Sequence, residues 1–235
     1  MIHCRCPMMT SAKALPYVRL AILVAALGLI GCASPPPAPE WQGNAFAALN
    51  SYSSAYLSGN SRVADDEFSR AQSEIASTGR ADLMARAELL RCATRLASLE
   101  LQPCAGYQSL SGDAKPQEHA YAAFMNGQWS GLDPAQLPAH YRVLVTQTTP
   151  TLDHLSQIAD PLARLIAAGV LLKREQLTPA AIAMAVETAS SQGWRRPLLA
   201  WLGLQLQQAQ QNPPVSAHIQ RQINLVFQAS SKPNE

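Results

Sequence analysis

The sequence predicts an all-α protein, and three observations carry that prediction. Apolar residues recur at helical spacing through almost every segment from Glu40 onward. Aromatic residues make up 6% of the 235-residue chain, and Val and Ile are sparse against abundant Ala, Leu and Gln, a poor composition for a β-sheet. Three pairs, Asp133-Pro134, Asp160-Pro161 and Thr178-Pro179, each set a capping side chain directly before a proline suited to a first helical turn. With 48% hydrophobic residues the chain can fill a core, which excludes intrinsic disorder.

The elements follow in order. Trp41, Ala45, Ala48, Leu49, Tyr52 and Tyr56 lie on one face of a first helix. Gly59-Asn60-Ser61 breaks it, and a second stripe runs through Ala64, Phe68, Ala71 and Ile75, with Asp65, Asp66 and Glu67 near its positive end. A link this short forces the two helices to pack antiparallel. Gly79 ends the second helix, and a third carries Ala85, Leu89, Cys92, Leu96 and Leu99. Residues 40–101 thus form an N-terminal helical region.

Residues 102–132 read differently. Pro103, Gly106, Gly112, Pro116, Gly127 and Gly131 interrupt them, with one short helix expected around Glu118–Met125. This segment either joins two helical halves or folds over one of them. Residues 133–235 form a C-terminal helical region. The helix after Pro161 carries Leu162, Leu165, Ile166, Gly169 and Val170; later ones carry Ile182 and Val186, then Leu198, Trp201, Leu202 and Leu206. The last carries Val215, Ile219, Ile223, Val226 and Phe227. Arg142–Thr146 comes nearest to a strand, and a helix suits it equally. The architecture expected is a stack of antiparallel helical hairpins.

Ahead of this body, residues 20–30 form an unbroken apolar run preceded by Lys13 and Arg19. As a helix the run reaches only about 17 Å, short of a hydrocarbon core of about 30 Å. A cationic start, a short apolar run and small residues after it are the marks of a secretory signal. Arg5, Lys13 and Arg19 precede position 32, where no acid occurs; without them the formal charge of +2 becomes −1. A processed chain therefore carries no nucleic-acid footprint.

The run ends in Leu29-Ile30-Gly31-Cys32, and here the sequence resembles a bacterial lipoprotein. The resemblance implies that these four residues are a lipobox, that residues 1–31 are removed, and that Cys32 is acylated on its thiol and its new amino group. Two or three acyl chains anchor durably where one would exchange. In that family an Asp after the cysteine favours inner-membrane retention, so Ala33 and Ser34 imply the outer membrane, facing the periplasm. Residues 32–39 form a Pro-rich tether, whose seven residues after the cysteine span about 22 Å as polyproline II.

Tyr56, Gly59, Ala64, Phe68 and Ala71 resemble the second half of a tetratricopeptide repeat, over residues 48–78. Tyr52 stands where that family has a small residue, Ala76 where it has a proline, and the following residues do not repeat the pattern. The resemblance implies a concave groove for peptides or partner proteins.

Cys92 and Cys104 are the two cysteines left after processing and lipidation, and in an oxidising compartment they are expected to form a disulfide. The alternative is a pair of buried thiols. His119, His140, His154 and His218 fit no metal-ligand spacing, and Ser130 lacks the glycine spacing of a nucleophile elbow. No catalytic residue, cofactor or metal site is expected. Trp194, Arg195 and Arg196 set an aromatic ring beside two cations at a helix entrance, which suits a partner-binding site or plain packing into the adjoining hairpin. The glutamines from Gln205 to Gln211 read as a solvated helix face. The reading as a whole is a membrane-anchored, non-catalytic protein-binding scaffold; the alternative is an envelope hydrolase with a site assembled from dispersed residues.

Overall fold

The computed structural model describes residues 39–230, so Leu29, Ile30, Gly31 and Cys32 and most of the tether lie outside the described residues. Within them the protein is an all-α helical array, with no strand among the described residues. The helices are α1 (Glu40–Leu57), α2 (Ser61–Ala76), α3 (Ala81–Leu96), α4 (Ala105–Gln108), α5 (Pro116–Met125) and α6 (Ala139–Thr146). They are followed by α7 (Leu152–Ser156), α8 (Pro161–Lys173), α9 (Pro179–Ser191), α10 (Arg195–Gln208) and α11 (Pro213–Ser230). Single 3₁₀ turns at Ser111–Asp113 and Pro134–Gln136 complete the middle.

The first hairpin forms as its sequence dictates. Gly59 adopts φ +86°, and the amide of Asn60 reaches back to the carbonyl of Ala55 at 2.8 Å, a left-handed helix stop that a side chain would strain. Asn60 then caps α2, its side chain accepting from the Val63 amide at 3.3 Å. Ala48, Ala64 and Ala71 are fully buried, so the helix backbones approach closely, and Phe68 fills the space beside Tyr52 with ring centroids 5.2 Å apart.

Helix α3 lies between two cores. One face, through Ala87 with Leu83, Met84 and Leu90, closes the core of the α1–α2 hairpin. The other, through Ala85, Leu89, Ala93 and Leu96, meets α5, α8 and α10. Gly169 lets α8 cross the end of α3 closely: a Cβ there would lie 2.8 Å from the Leu96 carbonyl oxygen. Trp201 of α10 is fully buried and donates from Nε1 to the Ala97 carbonyl at 3.0 Å. The array is thus sewn together around the C-terminal end of α3.

The Pro- and Gly-rich middle folds over the larger core. Phe124 stacks with Tyr141 at 4.5 Å and with Trp129 at 5.7 Å. Arg174, at the end of α8, lies over Trp129 at 4.1 Å and donates to the Gly127 carbonyl at 2.6 Å. Asp160 and Thr178 cap α8 and α9, accepting from the amides of Ala163 and Ala181 at 2.6 and 3.2 Å. Asp133 caps as well, but only a 3₁₀ turn follows, because Pro138 lies too close for a helix to extend. Arg142–Thr146 is helical, within α6.

Two local expectations are corrected. Leu99 falls beyond α3, in the left-handed region at φ 61°, where it ends the helix rather than extending its stripe. On α11, among the described residues, Ile219 is buried whereas Val215 and Phe227 are exposed, because this helix packs chiefly against α10.

Candidate functional site

A cavity of about 330 Å³ opens between α3, α5 and α8. Leu89, Leu90 and Ala93 of α3 and Leu162, Ala163 and Ile166 of α8 form its apolar wall. The same stripes that build the two cores diverge here: Leu162 packs against both clusters, and the space between them is left unfilled. The rim is polar, with Arg86, Glu118, Tyr121 and Asp160.

Each charged group at the rim has a structural duty. The Glu118 carboxylate accepts from the Lys115 amide at 3.2 Å, closing the start of α5, and pairs with Arg86 at 3.4 Å. One oxygen of Asp160 is spent on the start of α8. Burial pushes the Tyr121 phenol up to about 12, so it stays protonated at neutral pH. Apolar walls with carboxylates tied into helix starts suit reception of an apolar group better than acid–base chemistry.

The histidines do not cluster, and none lines the cavity, although His140 lies near Asp160 at its rim. His119 shares a 3.0 Å hydrogen bond with the Tyr107 hydroxyl, His154 accepts from the Thr151 amide at 3.0 Å, and His140 meets the Tyr141 ring edge-on. His218 is exposed on α11. Among the described residues no group of His, Cys, Asp and Glu is arranged to hold a metal ion.

Cys92 of α3 and Cys104, just before α4, lie at disulfide distance with Cα atoms 5.8 Å apart. Beside them the buried Glu88 carboxylate accepts from Gln72 at 3.2 Å and pairs with Arg91 at 2.8 Å. Position 106 is a glycine because any Cβ there would overlap that carboxylate. This pins the short α4 against α3.

Trp194, Arg195 and Arg196 face the first hairpin. Trp194 is half-buried against both cores, and the Arg195 guanidinium covers Gly59. Arg196 donates from Nη2 to the Ser61 hydroxyl at 2.6 Å and approaches Glu100 at 3.9 Å. Glu100 also pairs with Arg95 at 2.7 Å and accepts from the Tyr56 hydroxyl. The four-residue cluster of Tyr56, Arg95, Glu100 and Arg196 had no sequence signal beyond Tyr56 and Arg196 themselves, since its members come from α1, α3, the turn after α3 and α10.

Comparison with protein-family models, with curated proteins and with solved structures finds no match for this chain.

Proposed function

We propose that the protein is a lipid-anchored lipoprotein of the bacterial envelope, held at Cys32 on the periplasmic face of the outer membrane, whose helical body is a non-catalytic scaffold for a protein partner. One observation carries the reading: Leu29-Ile30-Gly31-Cys32 stands at the end of a cationic-then-apolar run too short to span a bilayer. Cys92 and Cys104, close enough to bond, suit an oxidising compartment. The apolar cavity, whose rim carboxylates are already committed to helix starts, favours binding over catalysis.

The test is the mass of the product purified from its native membranes. Acyl adducts on a chain beginning at Cys32 are expected, and Cys32→Ser is expected to leave an uncleaved, unacylated precursor. A peptide bond intact between Gly31 and Cys32 in the native product overturns the anchor. Crosslinking in intact envelopes is expected to capture a protein partner; recovery of lipid alone overturns the scaffold.

A further inference from the structure

The rim of the cavity between α3, α5 and α8 carries one carboxylate, Asp160, that caps a helix but has no ion-pair partner among the described residues, and that group restricts what fits the cavity. Arg86 and Glu118 neutralise each other across the rim. Asp160 makes no ion pair among the described residues, and only one of its oxygens is occupied, by the Ala163 amide. The positive end of α8 is already covered by this same carboxylate, so it offers nothing to an anion. The other titratable groups near Asp160 are His140, which burial holds below its ordinary value and so towards its neutral form, and the phenols of Tyr121 and Tyr141, which burial keeps protonated.

We infer that this cavity receives one aliphatic or aromatic side chain of a partner peptide, with an adjacent basic residue of that peptide pairing with Asp160. The inference rests on the scaffold reading above and names its contact point. The apolar wall contributed by Ala93, Leu162, Ala163 and Ile166 takes the side chain out of water. Gln117 and Gln136 stand at the rim with amide groups that suit a peptide backbone. An anionic lipid or fatty acid would meet two carboxylates at the rim, Asp160 and Glu118, against the single Arg86 guanidinium, which already faces Glu118.

The test uses the full chain as purified from its native membranes and three fluorescein-labelled peptides in Gly-Ser spacers, with a central Leu-Arg, Leu-Asp or Ser-Arg pair. Fluorescence anisotropy is expected to show the Leu-Arg peptide binding about tenfold or more tighter than the other two. Ala93→Leu fills the cavity and is expected to abolish that binding. Asp160→Asn keeps a side-chain oxygen for the α8 cap and is expected to remove the preference for Arg over Asp, with the thermal midpoint held near that of the parent chain. Equal binding of all three peptides, or binding that survives Ala93→Leu in a folded protein, overturns the inference. Neither outcome depends on acylation or on crosslinking, so failure here leaves the anchor and scaffold to their own tests.

Discussion

Arg196 donates from Nε to the main-chain carbonyl of Tyr56 at 2.8 Å and lays its guanidinium 4.2 Å from the centre of that tyrosine's ring, although 140 positions separate the two residues. One planar fork therefore satisfies the last turn of α1, the first residue of α2 and the ring between them. Arg196→Ala is expected to destabilise the fold by about 2 kcal/mol, the loss of hydrogen bonds from a charged donor and of a cation–π contact. Arg196→Lys is expected to recover little of it, because a point ammonium cannot stack and donate in two directions at once. Urea denaturation of the two variants beside the parent chain measures both values.

Gly169→Ala sets helix propensity against sterics, and the magnitudes decide the sign. Alanine favours a helix interior over glycine by about 1 kcal/mol. Against that, its methyl would lie 2.8 Å from the Leu96 carbonyl oxygen and 3.1 Å from Leu96 side-chain carbons. Forcing α3 and α8 apart costs about 1–3 kcal/mol by itself and also loosens the core that both helices share. A net loss of about 2 kcal/mol is expected from denaturant midpoints. Adding Leu96→Ala is not expected to restore stability, since the obstructing carbonyl is main chain.

The helical class and most of the helices were legible because periodicity and punctuation act locally. Gly59-Asn60-Ser61 encodes its own turn, and Asp160 and Thr178 encode their own caps. The Cys92–Cys104 proximity followed from counting cysteines. What the sequence hid are relationships between distant elements. Leu99 looks like one more apolar position on a stripe, and only its place after α3 makes it a left-handed stop. Leu89 and Ile166 read correctly as core residues and Leu162 is partly buried against both cores, yet the void among them depends on how far α3 and α8 diverge, which no residue states alone. Glu118 was legible as the start of a short helix, but its pairing with Arg86 crosses from α5 to α3. Val215 and Phe227 failed as core residues because α11 packs chiefly against α10, which leaves these two side chains exposed.

Glu175 ends α8 with φ 58°, while the Gln176 amide bonds back to the Leu171 carbonyl at 2.9 Å. The residue is exposed, so its side chain gains nothing from burial that would offset the left-handed backbone. Glu175→Gly is expected to stabilise the protein by about 1 kcal/mol, the usual cost of that conformation for a residue with a Cβ. Leu99→Gly at φ 61° is expected to do the opposite, because Leu99 packs against the larger core. Losing a partly buried leucine outweighs the relief. Thermal melts of the two variants should move in opposite directions.

Cys92 and Cys104 are 12 positions apart, and linking them restricts the unfolded chain. The loss on replacing both with alanine is expected to be about 3 kcal/mol by the chain-entropy argument. The segment carrying α4 should loosen first, since Glu88 and Gly106 hold it only through close contact. Thiol labelling of the denatured native protein checks the bond directly: two reactive thiols are expected after reduction and none before, and labelling without reductant would falsify the pairing.

Burial pushes the phenols of Tyr52, Tyr56 and Tyr141 well above their ordinary value of 10.0, and the Glu100 carboxylate beside Tyr56 pushes in the same direction. Tyr121, raised to about 12, follows them. The unfolded chain loses these protons near pH 10 while the folded chain keeps them, so the native state binds more protons above that pH. Stability is accordingly complete below about pH 10 and falls as pH rises towards the folded values, by about 1.4 kcal/mol per pH unit for each tyrosine in that window. Tyr56→Phe removes one of these protons along with the hydroxyl bonded to Glu100. It is expected to lower stability at neutral pH and to make the alkaline slope shallower by about one tyrosine's share. Urea unfolding followed from neutral pH to above pH 10 separates the two effects, because a lost contact shifts the whole curve whereas a lost titration changes its slope.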